Sequence, residues 1–454
     1  MHDDPVEHFK YGSIGSDVET GFPLHVMEVL PTMFPEYLPE GAPHDWTAFG
    51  LYQEEGHSMP IGFSERTRIV PLTGLTCAAC HSGVWRAGPD AEPMRILGMP
   101  NAAFDVQAMF VFLFNSVRDD RFTADNVIAA MEERGTEVSA IDRIVYRRVV
   151  PRMRERLLER EAVLQRLFSE DHPPFGPGRV AAFNSFKLDL LAEHYAGGIS
   201  EEEAIGTADY ASTWNQGIRD NWQLNWDGNS PVTLDRNVGA AMGAGATPTG
   251  IDLPNIARVT EYLATLAPPP YPYHIDREQA ARGEVLFRQH CNSCHGVDGE
   301  RVGQTTPIDE IGTDRRRFDS FTPRLIELLQ AFDDGYDWSL SSFRKTDGYA
   351  NSPLDGIWAR GPYLHNGSVP TLWDLLTPAE QRNGGATFFY TGHTVLDTVD
   401  VGSRADVARV GARPSFRYDL TLPGNSNVGH TGPYYGTELT DEEKRALIEY
   451  MKTL

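Results

Sequence analysis

Cysteine is scarce in this chain, with four residues in 454. A disulfide framework suits short secreted chains, and a chain of this length buries a large core without covalent staples, so the four are not a staple set. Long apolar runs are also missing. The most apolar short run, "AMFVFLF" at 108–114, is far below the length that spans a bilayer, and no membrane span is expected. The opening "MHDDPVEHF" has neither the basic n-region nor the apolar h-region of an export signal. Basic charge is in deficit: 40 Lys and Arg stand against 64 Asp and Glu, a formal net charge of -24. Nucleic acid and anionic membrane would both be repelled, whereas a basic redox protein remains open as a partner. What is present describes a globular chain, 41% apolar and 10% aromatic, of a length that suits two to three domains.

The four cysteines fall in two copies of one arrangement, "LTCAACHSG" at 75–83 and "HCNSCHGVDG" at 290–299. A redox Cys-x-x-Cys pair needs no histidine at the next position. A four-Cys zinc site would have to join two distant segments. Cys-x-x-Cys-His fits c-type haem attachment better, because two thioethers anchor the vinyl groups and the adjacent imidazole then lies under the iron. Two covalent haems are therefore expected, one on Cys77, Cys80 and His81, the other on Cys291, Cys294 and His295. Haem of this kind is attached outside the bacterial cytoplasmic membrane, so a periplasmic or secreted location is expected, with the export signal absent from this sequence.

A repeat marks the organisation. "ARVTEYLATL" at 257–266 and "RALIEYMKTL" at 445–454 each follow a haem motif and read as closing helices. Thr440 and Glu443 form a capping box for the second. The helix before the second motif begins at Asp276, with Gln279 completing its box. "LAPPPYPYHID" at 266–276 is a linker, since successive prolines cannot continue a helix. The expected architecture is mainly α, two fused cytochrome c-like domains at 1–267 and 275–454, with long loops and with extra helices in the first. Those extra helices include "NAAFDVQAMFVFLFNSVRDD", one capped at Thr123 or Asp125, and a helical pair over 140–168 kinked at Pro151. That pair holds eight arginines against four acids, which reads as a solvated basic face ahead of a docking site. Three tryptophans between 214 and 226 read as core, with an electron relay as the alternative. The first 70 residues and 380–436 read as wraps over the haems.

Function turns on the second axial ligands. Iron with two protein ligands transfers electrons; iron with one can bind peroxide or dioxygen. In the second half the candidates are His290, His365, His393 and His430. His430, in the Gly- and Asn-rich "LPGNSNVGHTGPYYG", is favoured, with Tyr434, Tyr435 or a Met as alternatives. In the first half only His57 stands in a ligand-like loop, so an open first haem is expected.

The two motifs together with "RGPYLHNGSVPTL" resemble the bacterial di-haem peroxidase superfamily, which also contains the maturation enzyme of methylamine dehydrogenase. "EHFKYGSIGSD", "EEGHSMPIGFS", "FRKTDGYANSPLDGIWARGPYLHNGS" and "LPGNSNVGH" are similar to the branch that includes di-haem rubber oxygenases. The resemblance implies a reactive N-terminal haem on His81 and a six-coordinate electron-transfer haem on His295 and His430. It implies an Ala-Phe roof over the reactive haem, matched here by Ala182 and Phe183. A phenyl roof cannot do the acid-base work of splitting peroxide, which points toward dioxygen or a slow peroxide reaction. The chain is shorter than a rubber oxygenase, and an offset from Phe183 lands on Ser169 where that branch has its inter-haem Trp. Polymer cleavage is therefore not implied. Calcium is a candidate too: Ser352, Pro353 and Leu354 fall at the turn where the peroxidases bind it, without a matching ligand set. Three functions compete: an oxidoreductase using peroxide or dioxygen, a non-catalytic di-haem electron carrier, and a haem sensor.

Overall fold

The computed structural model describes residues 2–66, 70–169, 172–333 and 335–454. Helix accounts for 42% and strand for 11%, in line with a mainly α chain. Among the described residues strand occurs only as two-stranded ladders such as Ser82–Trp85 with Met94–Leu97.

The second half is organised by the helices Arg277–His290 and Asp441–Met451. They cross where Gly283 removes a side chain: a Cβ there would stand 1.9 Å from the Ala446 carbonyl oxygen. Phe287 and Tyr450 meet beside the crossing, ring centroids 5.2 Å apart. Thr440 and Glu443 form the capping box read from the sequence. At the other helix the box is altered. Asp276 accepts from Glu278 N and Gln279 N, but Gln279 Nε2 returns to the Asp276 carboxylate, and the Asp276 N–H is taken by Glu449 of the closing helix. The cap thus ties the two helices together.

The first half closes differently. Its closing helix, Leu253–Thr265, packs on Pro5–Tyr11 at the very start of the chain, with Phe9 and Tyr262 rings 5.4 Å apart. The opening stretch is therefore more than a wrap: Pro5–Tyr11 and Leu24–Met33 are helices with buried faces.

The helical pair expected over 140–168 is a single helix. Ala140–Leu164 is one helix of 25 residues, capped by a Ser139–Asp142 box. Pro151 lies on its exposed side, so the carbonyl that loses its N–H partner can turn to water, while Tyr146, Val150, Met153 and Leu157 bury the opposite face. Three of its arginines pair with acids, Arg143 with Glu132, Arg147 with Asp125 and Arg160 with Asp189, and Arg154 and Arg156 reach backbone carbonyls.

The proline linker is packed. Trp358 Nε1 donates to Pro269 O at 3.1 Å, and Tyr271 stands edge-on to Trp358. Two apolar clusters draw residues from both sides of it. One joins Phe9, Ala78 and Leu263 to Phe321 and Leu325; another joins Trp85 and Trp214 to Trp358 and Leu447.

Candidate functional site: two Cys-x-x-Cys-His centres

The first motif forms the short helix Cys77–Cys80, capped by Thr76, whose hydroxyl also reaches Lys10 O at 3.2 Å. Gly62 (φ +104°) lets the opening segment lie against it, since a Cβ would stand 2.5 Å from Ala79 Cα. His81 Nδ1 donates to Ala211 O at 2.8 Å. That bond orients the ring and leaves Nε2 with the lone pair a metal needs. Burial lowers the His81 pKa to about 4 against the pull of the Ala211 carbonyl, so the imidazole is neutral. Burial pushes the Cys77 and Cys80 thiols up to about 11 and about 12. Redox-active and nucleophilic cysteines need the opposite shift.

The second motif repeats this logic. His295 Nδ1 donates to Ser352 O at 2.7 Å, and burial lowers its pKa. The Ser352 carbonyl, at the turn raised for calcium, thus orients the imidazole. Among the described residues no three His, Cys, Asp or Glu side chains gather as a metal-holding group, and the four cysteines form no disulfide. Facing His295 across a cavity is His430, ring centroids 6.4 Å apart and planes at 43°. His430 is held in a left-handed conformation (φ +47°) by its N–H to Ile311 O, 2.8 Å, and by Arg382 Nη2 on its carbonyl, 3.0 Å. Gly429 allows the approach, for a Cβ there would stand 2.3 Å from Gly312 C. Burial, then the charges of His295 and Arg382, bring the His430 pKa to about 3.

This spacing suits a haem iron. A metal–imidazole bond is about 2 Å and a ring centroid lies about 1 Å behind its nitrogen, so one metal between two rings sets the centroids about 6 Å apart. Two neutral imidazoles, two unjoined cysteines and a cavity fit the group.

The other second-half histidines fall into place. His393 is engaged at both nitrogens, with Arg404 O and Val395 N. His290 donates Nδ1 to Pro433 O. His365 lines the cavity and stacks on Tyr349, ring centroids 4.1 Å apart. Tyr434 is 85% exposed, and Tyr435 packs beside His430, ring centroids 4.6 Å apart.

In the first half, His57 stacks on Tyr11 at 3.8 Å. His8 reaches Asn255 O, His25 pairs with Glu28, and His172 meets Pro173 O and Ala204 O. Ala182 and Phe183 begin the helix Ala182–Asp189, both half-buried. Phe183 belongs to the apolar cluster that contains Cys77 and Ala78, and it stacks on Phe321 with ring centroids 4.4 Å apart.

Sequence reasoning missed the carbonyls of Ala211 and Ser352, which no side-chain signal announces, and Tyr210, buried beside Cys80. The tryptophans separate. Trp214 is fully buried with Nε1 on Leu97 O, whereas Trp226 lines the second cavity with Nε1 on Asp209 O. Ser169 closes a turn onto Arg166 O.

Residues 348–385, which contain Ser352 and His365, match the family described as RoxA-like, cytochrome c-like. This part of the chain is cytochrome c-like, and that family implies c-type haem. The chain is also similar to two proteins of Sinorhizobium fredii (strain NBRC 101917 / NGR234). Uncharacterized protein y4iM is 33% identical over 290 residues, 54% of this chain and 64% of the relative, so the match takes in less than two thirds of y4iM. Uncharacterized protein y4iJ is 26% identical over 524 residues, 89% of this chain and 84% of the relative.

Proposed function

We propose that the chain is a di-haem c-type cytochrome oxidoreductase that activates peroxide or dioxygen at its N-terminal centre and moves electrons through its C-terminal one. Cys77 and Cys80 would hold the first haem with His81 beneath the iron; Cys291 and Cys294 would hold the second between His295 and His430. The haems supply the redox chemistry. The protein's part is to keep the imidazoles neutral and oriented, to seat Phe183 and Ala182 as an apolar roof that excludes water, and to close the second iron with His430. The carrying observation is the asymmetry between the halves: an imidazole stands opposite His295, whereas the buried first-half histidines are engaged elsewhere and a phenyl ring shares the His81 motif's cluster. The likeness of residues 348–385 to RoxA-like cytochromes supports an oxidoreductase. Because haem of this kind is attached outside the bacterial cytoplasmic membrane, this reading carries with it a periplasmic or secreted location, and the acidic composition, net charge -24, suits a basic redox partner.

Low-temperature electron paramagnetic resonance of the oxidised holoprotein tests this, before and after one equivalent of peroxide. A high-spin signal beside a low-spin one, with the high-spin signal lost on peroxide, is expected. Two low-spin signals indifferent to peroxide would make the oxidised protein an electron carrier.

A further inference from the structure

Outside both motifs, two arginines and a histidine are buried with unmet donors. Arg179 is 3% exposed, Arg317 6% and His365 4%. Arg179 Nη2 donates to Asn425 Oδ1 at 2.8 Å, and Arg317 Nη2 donates to Asp227 Oδ1 at 3.4 Å. Nε and Nη1 of both guanidinium groups, and His365 Nε2, meet no acceptor among the described residues. A guanidinium cannot shed its charge, and a buried charge persists only when paired. Around Arg317 stand Asp227, Lys187 and Lys345, but Lys187 is paired with Glu203. Around Arg179 stand Tyr418, Asp209 and Asp314, and burial raises the pKa of both carboxyls. Asp227 takes one donor of Arg317 and Asn425 one of Arg179, and the remaining inner donors of both groups stay unmet.

The position of these donors indicates what meets them. The Arg317 guanidinium lies 3.6 Å from the centroid of the Phe183 ring, which shares a cluster with Cys77. His365 lines the cavity between His295 and His430. Arg179 pairs across a ladder with Asp209, two residues before the Ala211 carbonyl that orients His81. The donors therefore stand between the two centres, and a planar carboxylate matches the fork of a guanidinium. Resting on the two-haem reading above, we propose that Arg179, Arg317 and His365 form one carboxylate-receiving site between the centres that takes haem propionates. Acting as positioning residues, the arginines hold the propionate ionised and fix the haem edges that face each other.

Spectroelectrochemical titration of the holoprotein between about pH 4 and 7 tests this, because an unheld propionate protonates in the ordinary carboxylate range, about 4–5, whereas one held by arginine does so well below it. The wild type is expected to show only the shallow slope that Asp209, Asp314 and Lys345 impose. Arg317→Gln and Arg179→Gln are expected to lower the potential at the alkaline end, because a positive charge near the iron is lost, and to add a steeper slope at about pH 4–5. Arg317→Lys keeps the charge and is expected to stay nearly flat. Potentials in both Gln variants that match the wild type at every pH would overturn the site. Should those variants not fold, resonance Raman of the wild type decides: propionate bands constant across the range support the site, and bands that shift with protonation overturn it. A saturable shift of the wild-type potential with acetate at constant ionic strength would assign the donors to a free anion instead and also overturn it. The pyridine haemochrome count on the same samples checks the underlying reading separately, since fewer than two haems per chain would strike that reading whatever the potentials do.

Discussion

His295 and His430 face each other across the second cavity with ring centroids 6.4 Å apart, and their hold on the backbone is unequal. His295 follows its cysteines on a helix, whereas His430 depends on a left-handed turn pinned by Ile311 O and Arg382. His430→Gly keeps that turn, since glycine adopts positive φ freely, and removes only the ring. The expected outcome is loss of the low-spin signal of one haem with the other unchanged, read by electron paramagnetic resonance. A change confined to the other haem would reverse the assignment of the two centres.

Phe183→His places an imidazole where the proposed roof stands. If Phe183 covers the first iron, the variant converts an open site to a six-coordinate, low-spin one and loses its response to peroxide. An unchanged spin state in a folded, haem-loaded variant would move the roof elsewhere.

Gly283→Ala drives a methyl group into the Ala446 carbonyl at the helix crossing. The helices must separate, and overpacking of this kind costs about 1–3 kcal/mol. A lowered denaturant midpoint with unchanged haem spectra is expected from chemical unfolding followed at the haem band.

Acid stability has a distinct origin in the first half. Burial raises the Glu54 pKa, but Lys10 Nζ and the Tyr11 hydroxyl, at 2.6 and 3.0 Å, and the charge of Arg95 outweigh burial and hold the carboxyl below its ordinary 4.5. A depressed carboxylate contributes stability above its unfolded pKa and loses it as pH falls through the folded value. Glu54→Gln should therefore cost about 1–3 kcal/mol near neutrality and leave a shallower decline of stability below pH 4.5. Urea unfolding at several pH values measures both.

The helices were legible where local signals agree: Thr440 with Glu443 and Asp276 cap as expected, and of Thr123 and Asp125 it is Thr123 that caps. The pair expected over 140–168 runs as one helix because Pro151 falls on its exposed side, where water can take the freed carbonyl, and exposure is a tertiary property. The helix Pro5–Tyr11 escaped notice because its burial depends on Leu253–Thr265, almost the whole first half away.

The candidate site divides along the same line. Spacing alone marks Cys77, Cys80, His81, Cys291, Cys294 and His295, because attachment and ligation are adjacent in the chain. His430 is favoured by its Gly- and Asn-rich turn and by the family resemblance, but only the fold brings it opposite His295. The carbonyls of Ala211 and Ser352 carry no residue-specific signal at all, since every residue has one. The unmet donors of Arg179, Arg317 and His365 belong wholly to the tertiary structure, because a side chain lacks a partner only once packing has excluded the water that would otherwise supply one.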